Sequence, residues 1–168
     1  MNFAERLRAK ISYDPATCVF TWRETCGGKV AGSIAGSVDP ADGYIRIGFE
    51  DSLYLGQRLA WVYMTGEWPS SITDHRNGNR ADNSWENLRE ATWLENSHNR
   101  KRPSTNRSGH LGVCWHARSG AWRAQIQAKG CKIHLGTFPT AEEASAAYLA
   151  AKRELHPFQP APRQDIAA

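Results

Sequence analysis

Residues 74–99, DHRNGNRADNSWENLREATWLENSHN, hold six Asn, two His and two Asp with few apolar side chains to bury. Loops are often polar for no special reason, but here an Asp-His pair is followed, at helical reach, by further Asn. Asp74 and His75 come after WPSSIT, a strand-like approach, and Gly78 and Asn79 suit a turn. ENLRE at 86–90 can form a short return strand, and Thr92 with Glu95 makes a capping box, so a helix is expected near Trp93. Asn96 then falls in the first full helical turn, where it can face back toward the strand bearing Asp74 and His75. A hairpin followed by a helix, with polar side chains converging between them, is a cradle for one cation.

The chemistry of that set suits phosphodiester hydrolysis. A hard divalent ion such as Mg²⁺, with Mn²⁺ as the alternative, takes oxygen ligands and keeps places for water and phosphate, so Asp74 and Asn96 suffice as protein ligands. A histidine of ordinary pKa, about 6.5, can take a proton from water near neutral pH, which suits His75 to be a general base. Neighbours on an extended chain point to opposite sides, so Asp74 and His75 need a bend to serve one phosphate. Asn79, Asn83 and Asn99 have ordinary readings as turn and cap residues, and His98 reads as a surface residue.

Working outward, NFAERLRAKI at 2–11 is a short helix candidate, GYIRIGF and LYLGQ are two strands joined across Glu50, Asp51 and Ser52, and a helix around RLAWVYMTG ends at Gly66. Downstream, RKRPSTNRSG at 100–109 has neither helical nor strand period and reads as a linker. The 168-residue chain is thus expected to form a catalytic lobe over 1–99, a basic linker over 100–108, a second domain over 109–156 and a tail over 157–168.

Charge separates the two halves. Residues 1–96 carry ten Lys and Arg against thirteen Asp and Glu, whereas 97–155 carry ten against three. An excess of that size in a compact stretch points to a polyanionic partner. No apolar run approaches the roughly 18 residues a membrane span needs, and the N-terminus lacks a signal-peptide pattern, so a cytoplasmic protein with no membrane partner is expected. Cys18, Cys26, Cys114 and Cys131 form no C-x-x-C pair and are read as buried or half-buried thiols.

In the second domain the period changes to two. LGVCWHAR, AWRAQIQA and CKIHLGTF each alternate and are separated by SG and KG turns, which implies a three-stranded antiparallel meander. Thr140 and Glu143 form a capping box before the Ala-rich helix AEEASAAYLAAKREL, whose Ala144, Ala147, Tyr148 and Ala151 share one face. Val113, Trp115, Trp122, Ala124, Ile126, Ile133 and Leu135 are the expected core face. The opposite face would carry His116, Arg118, Arg123, Gln125, Gln127, Lys132 and His134, residues able to meet base edges and phosphates in a major groove. Arg100, Lys101 and Arg102 in the linker would track the backbone or minor groove.

The segment GVCWHARSGAWRAQIQAKGCKIHLGTFPTAEEASAAYLAAK resembles the plant ethylene-response-factor (APETALA-type) DNA-binding domain, whose outer sheet face contacts the major groove. It departs from that family at Cys114, where Arg is usual, and at His134, where Trp is frequent. The stretch around 74–99 resembles the HNH endonucleases of phage and intron-encoded homing enzymes, through DH at 74–75, NGN at 77–79, DN at 82–83, ENLR at 86–89 and EN at 95–96. That resemblance implies His75 as general base, Asp74 and Asn96 as metal ligands, and Asn87 as the residue bracing the loop that holds the histidine. A histidine commonly stands at the position of Gln57.

Together these readings give an α+β protein: an N-terminal ββα-metal lobe, and a C-terminal three-stranded antiparallel sheet packed on one helix. The expected function is a metal-dependent, phage- or intron-encoded DNA endonuclease that acts in the host cell on double-stranded DNA, as a monomer that nicks. A DNA-binding regulator built on an inactive HNH scaffold is the competing reading. An RNA-binding module is disfavoured because the exposed sheet face lacks stacking aromatics.

Overall fold

The computed structural model describes residues 1–99, 103, 105–159 and 162. The chain divides into two compact units, Met1–Thr92 and Trp93–Ala168. Both mix helices with small antiparallel sheets, so the protein is α+β.

In the first unit, helix α1 (Phe3–Lys10) starts at a complete capping box: Glu5 N donates to Asn2 Oδ1 and Asn2 N to Glu5 Oε2, both at 2.8 Å. Strand β1 (Ile11–Tyr13) follows directly and pairs with β2 (Phe20–Trp22), a hairpin the sequence pattern left unassigned. Strands β3 (Ser37–Val38), β4 (Ile45–Phe49) and β5 (Ser52–Leu55) form a sheet in that order. The expected β4–β5 turn is present, with Glu50 in the left-handed region. Helix α2 (Gly56–Thr65) ends at Gly66, whose φ of 87° is easy only for glycine and lets its N–H close on the Val62 carbonyl. Leu7, Ile11, Phe20, Ile47, Phe49, Leu59 and Val62 bury together as the core of this unit.

Strand β6 (Ile72–His75), a 3-10 turn (Trp85–Asn87) and strand β7 (Leu88–Ala91) make the hairpin expected from the polar stretch. Its antiparallel register sets Asp74 opposite Arg89 and His75 opposite Leu88.

The second unit contains helix α3 (Trp93–His98), strands β8 (Val113–His116), β9 (Ala121–Ala128) and β10 (Cys131–Phe138) in the order β10-β9-β8, and helix α4 (Ala141–Leu155). The meander and capped helix match the expectation, with Glu143 N donating to Thr140 Oγ1 at 3.2 Å. Val113, Ala124 and Ala144 form the buried centre with Trp122, Leu135 and Ala147 against it. Gly112, at φ 70°, lies under the Tyr148 ring, where a Cβ would collide with that ring and with the Gln125 carbonyl.

Two residues expected in this core are exposed, Trp115 at 53% and Ile133 at 37%. Both lie on the correct face, opposite Trp122 and Ile126, but on the outer strands of a sheet whose helix packs most heavily on the middle strand. Arg118 is not on a strand face; it sits exposed in the turn between β8 and β9. His98 is not a surface residue: its ring stacks on His156 with centroids 3.7 Å apart. Cys18 and Cys114 are half-buried as expected, but Cys26 and Cys131 are exposed. Among the described residues, no helix is long and apolar enough to cross a membrane.

Candidate active site

The β6–β7 hairpin buries the Asp-His pair that the sequence singled out. Thr73, Asp74 and His75 are 8%, 7% and 4% exposed, so three consecutive residues are enclosed where a half-exposed strand would alternate. Asp74 accepts Arg89 Nε at 3.1 Å and Arg89 Nη2 at 2.9 Å, both on Oδ2. His75 ends the strand and sets Nε2 2.9 Å from Asn83 Oδ1, while the Tyr44 ring lies 6.0 Å from its imidazole.

The loop after His75 is tied down by both backbone and side-chain bonds. Gly78 N returns to the His75 carbonyl and Arg76 N to the Asn87 carbonyl. Asn87, 8% exposed, bridges the loop: its Oδ1 accepts Asn77 N at 3.0 Å and its Nδ2 donates to the Asp82 carbonyl at 2.7 Å. Asp82 takes Ser84 N and Oγ on one oxygen and Asn77 Nδ2 on the other. Burial pushes the Asp82 carboxyl up, but these bonds and nearby His75 outweigh it and hold it below the usual carboxylate range. Asn79 fits its turn reading, with Oδ1 accepting Ala81 N.

Asn83 does not fit that reading. It is fully buried, bonded to His75 through its side chain and to the Tyr13 hydroxyl through its carbonyl at 2.6 Å. Sequence reasoning also passed over Arg89 as the partner of Asp74, although period-two pairing across a hairpin could have suggested it. Gln57, 4% exposed, leaves its Oε1 buried without a hydrogen-bond partner.

Asn96 lies half-buried on α3, in the second unit. That helix is anchored within its unit: Lys152 Nζ, on a side chain 1% exposed, donates to the His98 carbonyl at 2.9 Å, and His156 Nε2 donates to the Gln127 carbonyl at 2.8 Å beneath the stacked rings. Among the described residues, no three His, Cys, Asp or Glu side chains gather as a metal cluster.

The polar face of the second sheet is assembled as expected for its strand residues. His116, Arg123, Gln125, Lys132, His134 and Thr137 line one cavity of about 280 Å³. Gln127 pairs with Lys132 on the same face. Arg100, Lys101 and Arg102 lie outside the described residues.

Comparison with known proteins places this geometry in context. The HNH endonuclease family model matches residues 54–98, a span that runs from the end of β5 through α2 and the β6–β7 hairpin to α3. Protein 3.8 of Escherichia phage T7 is 33% identical over 97 residues, covering 57% of this chain and 79% of that protein. No solved structure matches the chain. The chain carries an HNH endonuclease domain at residues 54–98 and belongs to one family with the T7 protein.

Proposed function

We propose that the protein is a divalent-metal-dependent endonuclease that hydrolyses phosphodiester bonds in double-stranded DNA, nicking one strand at a site selected by its C-terminal unit. The observation that carries this reading is the enclosed Asp74-His75 pair at the end of β6, inside the segment that matches the HNH family.

His75 is the general base. It takes a proton from a water molecule, whose oxygen attacks phosphorus while the sugar oxygen leaves. Asn87 holds the loop that follows His75 and so fixes the imidazole's approach. By the family resemblance, Asp74 and Asn96 would be the ligands of the cation, for which Mg²⁺ is the first choice. The donor chemistry fits, because one carboxylate and one amide are hard oxygen ligands that leave room for water and phosphate. Arg89 already offsets the charge of Asp74, so a cation held by that carboxylate would add positive charge, which an incoming phosphate would offset. When bound, the ion stabilises charge on the phosphate and on the departing oxygen.

The C-terminal sheet resembles the APETALA-type module, and we assign target recognition to its His116, Arg123, Gln125, Gln127, Lys132 and His134 face. The linker residues Arg100, Lys101 and Arg102 follow the DNA backbone, with Arg118 adding a phosphate contact from its turn. A single catalytic site in a monomer nicks rather than breaks the duplex. The phage relative supports action inside a host cell, and homing is the role the resemblance suggests.

Supercoiled plasmid carrying candidate target DNA, incubated with wild type or His75→Ala in Mg²⁺ or EDTA, tests the reading. Open circles from wild type with metal alone support it. DNA binding by both proteins without any cutting of a verified target favours the regulator on an inactive scaffold.

A further inference from the structure

We infer that Asn83 is a positioning residue for the nuclease chemistry: it accepts the Nε2 hydrogen of His75 and so keeps the lone pair of the imidazole on Nδ1, and Tyr13 holds Asn83 in place. This rests on the proposed role of His75 as general base.

The argument starts from donor and acceptor types. An amide oxygen only accepts, and Asn83 Oδ1 lies 2.9 Å from His75 Nε2, so that nitrogen carries the hydrogen. A neutral imidazole has one N–H, which leaves Nδ1 as the basic atom. In the opposite tautomer the lone pair would sit on Nε2, against the Asn83 oxygen, and Nδ1 would carry the hydrogen and could take no proton from water.

Asn83 is held from three sides. It is 0% exposed, and its carbonyl accepts the Tyr13 hydroxyl at 2.6 Å. Among the described residues its Nδ2 has no hydrogen-bond partner, and it rests against Gly56, where a Cβ would come within 2.6 Å of it. The side chain therefore occupies a slot that only glycine at position 56 leaves open. Its buried amide nitrogen gains nothing, which leaves the contact with His75 as its evident use. Tyr13 is itself fixed, stacked on Phe20 at 4.5 Å and edge-on to Tyr63 at 5.6 Å. Burial also pushes its phenol up, so it remains a donor through the neutral range.

Tyr13 and Phe20 belong to the β1–β2 hairpin, which precedes the matched segment 54–98. The N-terminal hairpin is thus more than packing for the nuclease domain. It supplies the hydroxyl that clamps the residue orienting the base.

Two readouts test this in the full-length chain. The first is the tautomer, read from long-range proton–nitrogen spectra of histidine-labelled protein at pH 8, with the His75 signal identified by its loss in His75→Ala. The expected result is Nε2–H in wild type and a mixture in Asn83→Leu; Nδ1–H in wild type overturns the inference. The second is plasmid nicking with Mg²⁺. Asn83→Leu should lower kcat about 10- to 100-fold, the range typical of residues that orient a reacting ligand, with KM within about twofold of wild type. Asn83→Asp keeps an acceptor and loses no bond made by Nδ2, so it should restore kcat to within about threefold. Tyr13→Phe keeps the ring stack and should show a smaller fall than Asn83→Leu. If Asn83→Leu does not fold, Asn83→Asp and Tyr13→Phe decide. Wild-type kcat in Asn83→Leu, or Asn83→Asp as impaired as Leu while still folded, also overturns the inference. Failure of wild type to nick, or nicking by His75→Ala, defeats the general-base reading instead, and the spectra still decide whether Asn83 sets the tautomer.

Discussion

Arg89 reaches across the β6–β7 ladder and places Nε and Nη2 3.1 and 2.9 Å from the same oxygen of Asp74, its direct partner in the register. Both side chains are largely enclosed, at 14% and 7% exposure. Arg89 supplies a counter-charge to this enclosed carboxylate from within the hairpin.

Arg89→Met should therefore harm both stability and activity. Removing one partner of an enclosed ion pair strands the other. Because Asp74 and Arg89 each have further interactions, the expected cost is about 1–3 kcal/mol, at or below the range for fully buried pairs. Urea titration measures it. Nicking by the folded variant should also fall, because Asp74 loses the partner that fixes its carboxylate, and a Mg²⁺ titration of the rate separates that loss from unfolding.

The second sheet makes a separable prediction. Arg123 and Gln125 sit on the middle strand among His116, Lys132 and His134, on the face proposed to meet base edges. Alanine at either position should weaken binding to the cognate duplex by about 1–3 kcal/mol and narrow its margin over scrambled DNA. Lys132→Ala should instead weaken both duplexes alike and reduce the salt slope by about one. Fluorescence anisotropy at several salt concentrations distinguishes the two effects, and equal wild-type binding to cognate and scrambled duplexes would sink the recognition role.

Most of the regular elements were legible because local signals agreed with the fold. Gly66 stops α2, Thr140 starts α4, and period-two alternation with short turns marks β8 to β10. The β1–β2 hairpin was not legible: two three-residue strands are too short for a period to show, and the core contacts of Tyr13 and Phe20 that help hold them leave no local pattern. Within the site, the Asp-His pair stood out as residue types at a suggestive spacing, and Asn87 entered only through the resemblance to the HNH endonucleases. Asn83 did not, since an Asn in a turn-rich loop looks the same whether it caps a turn or orients a histidine. Only its burial and its contact with a tyrosine 70 positions earlier tell the two apart.

The stacked His98 and His156 should make the second unit sensitive to acid. Burial pushes the His98 imidazole below its ordinary pKa, and the nearby His156 and Lys152 charges add to this against a weaker opposing pull from Glu95. Burial lowers His156 as well, opposed by its bond to the Gln127 carbonyl and reinforced by Lys152. A histidine whose folded pKa lies below its unfolded value takes up protons more readily when unfolded. Its contribution to stability is therefore complete above about pH 6.5 and is lost as pH falls below that value. The urea midpoint of the second unit should drop between pH 7.5 and pH 5. His98→Phe retains a ring to stack on His156, gives up no side-chain hydrogen bond seen for His98, and removes one titrating group, so the drop should shrink. An unchanged pH dependence in His98→Phe would show that the acid response arises elsewhere in the chain.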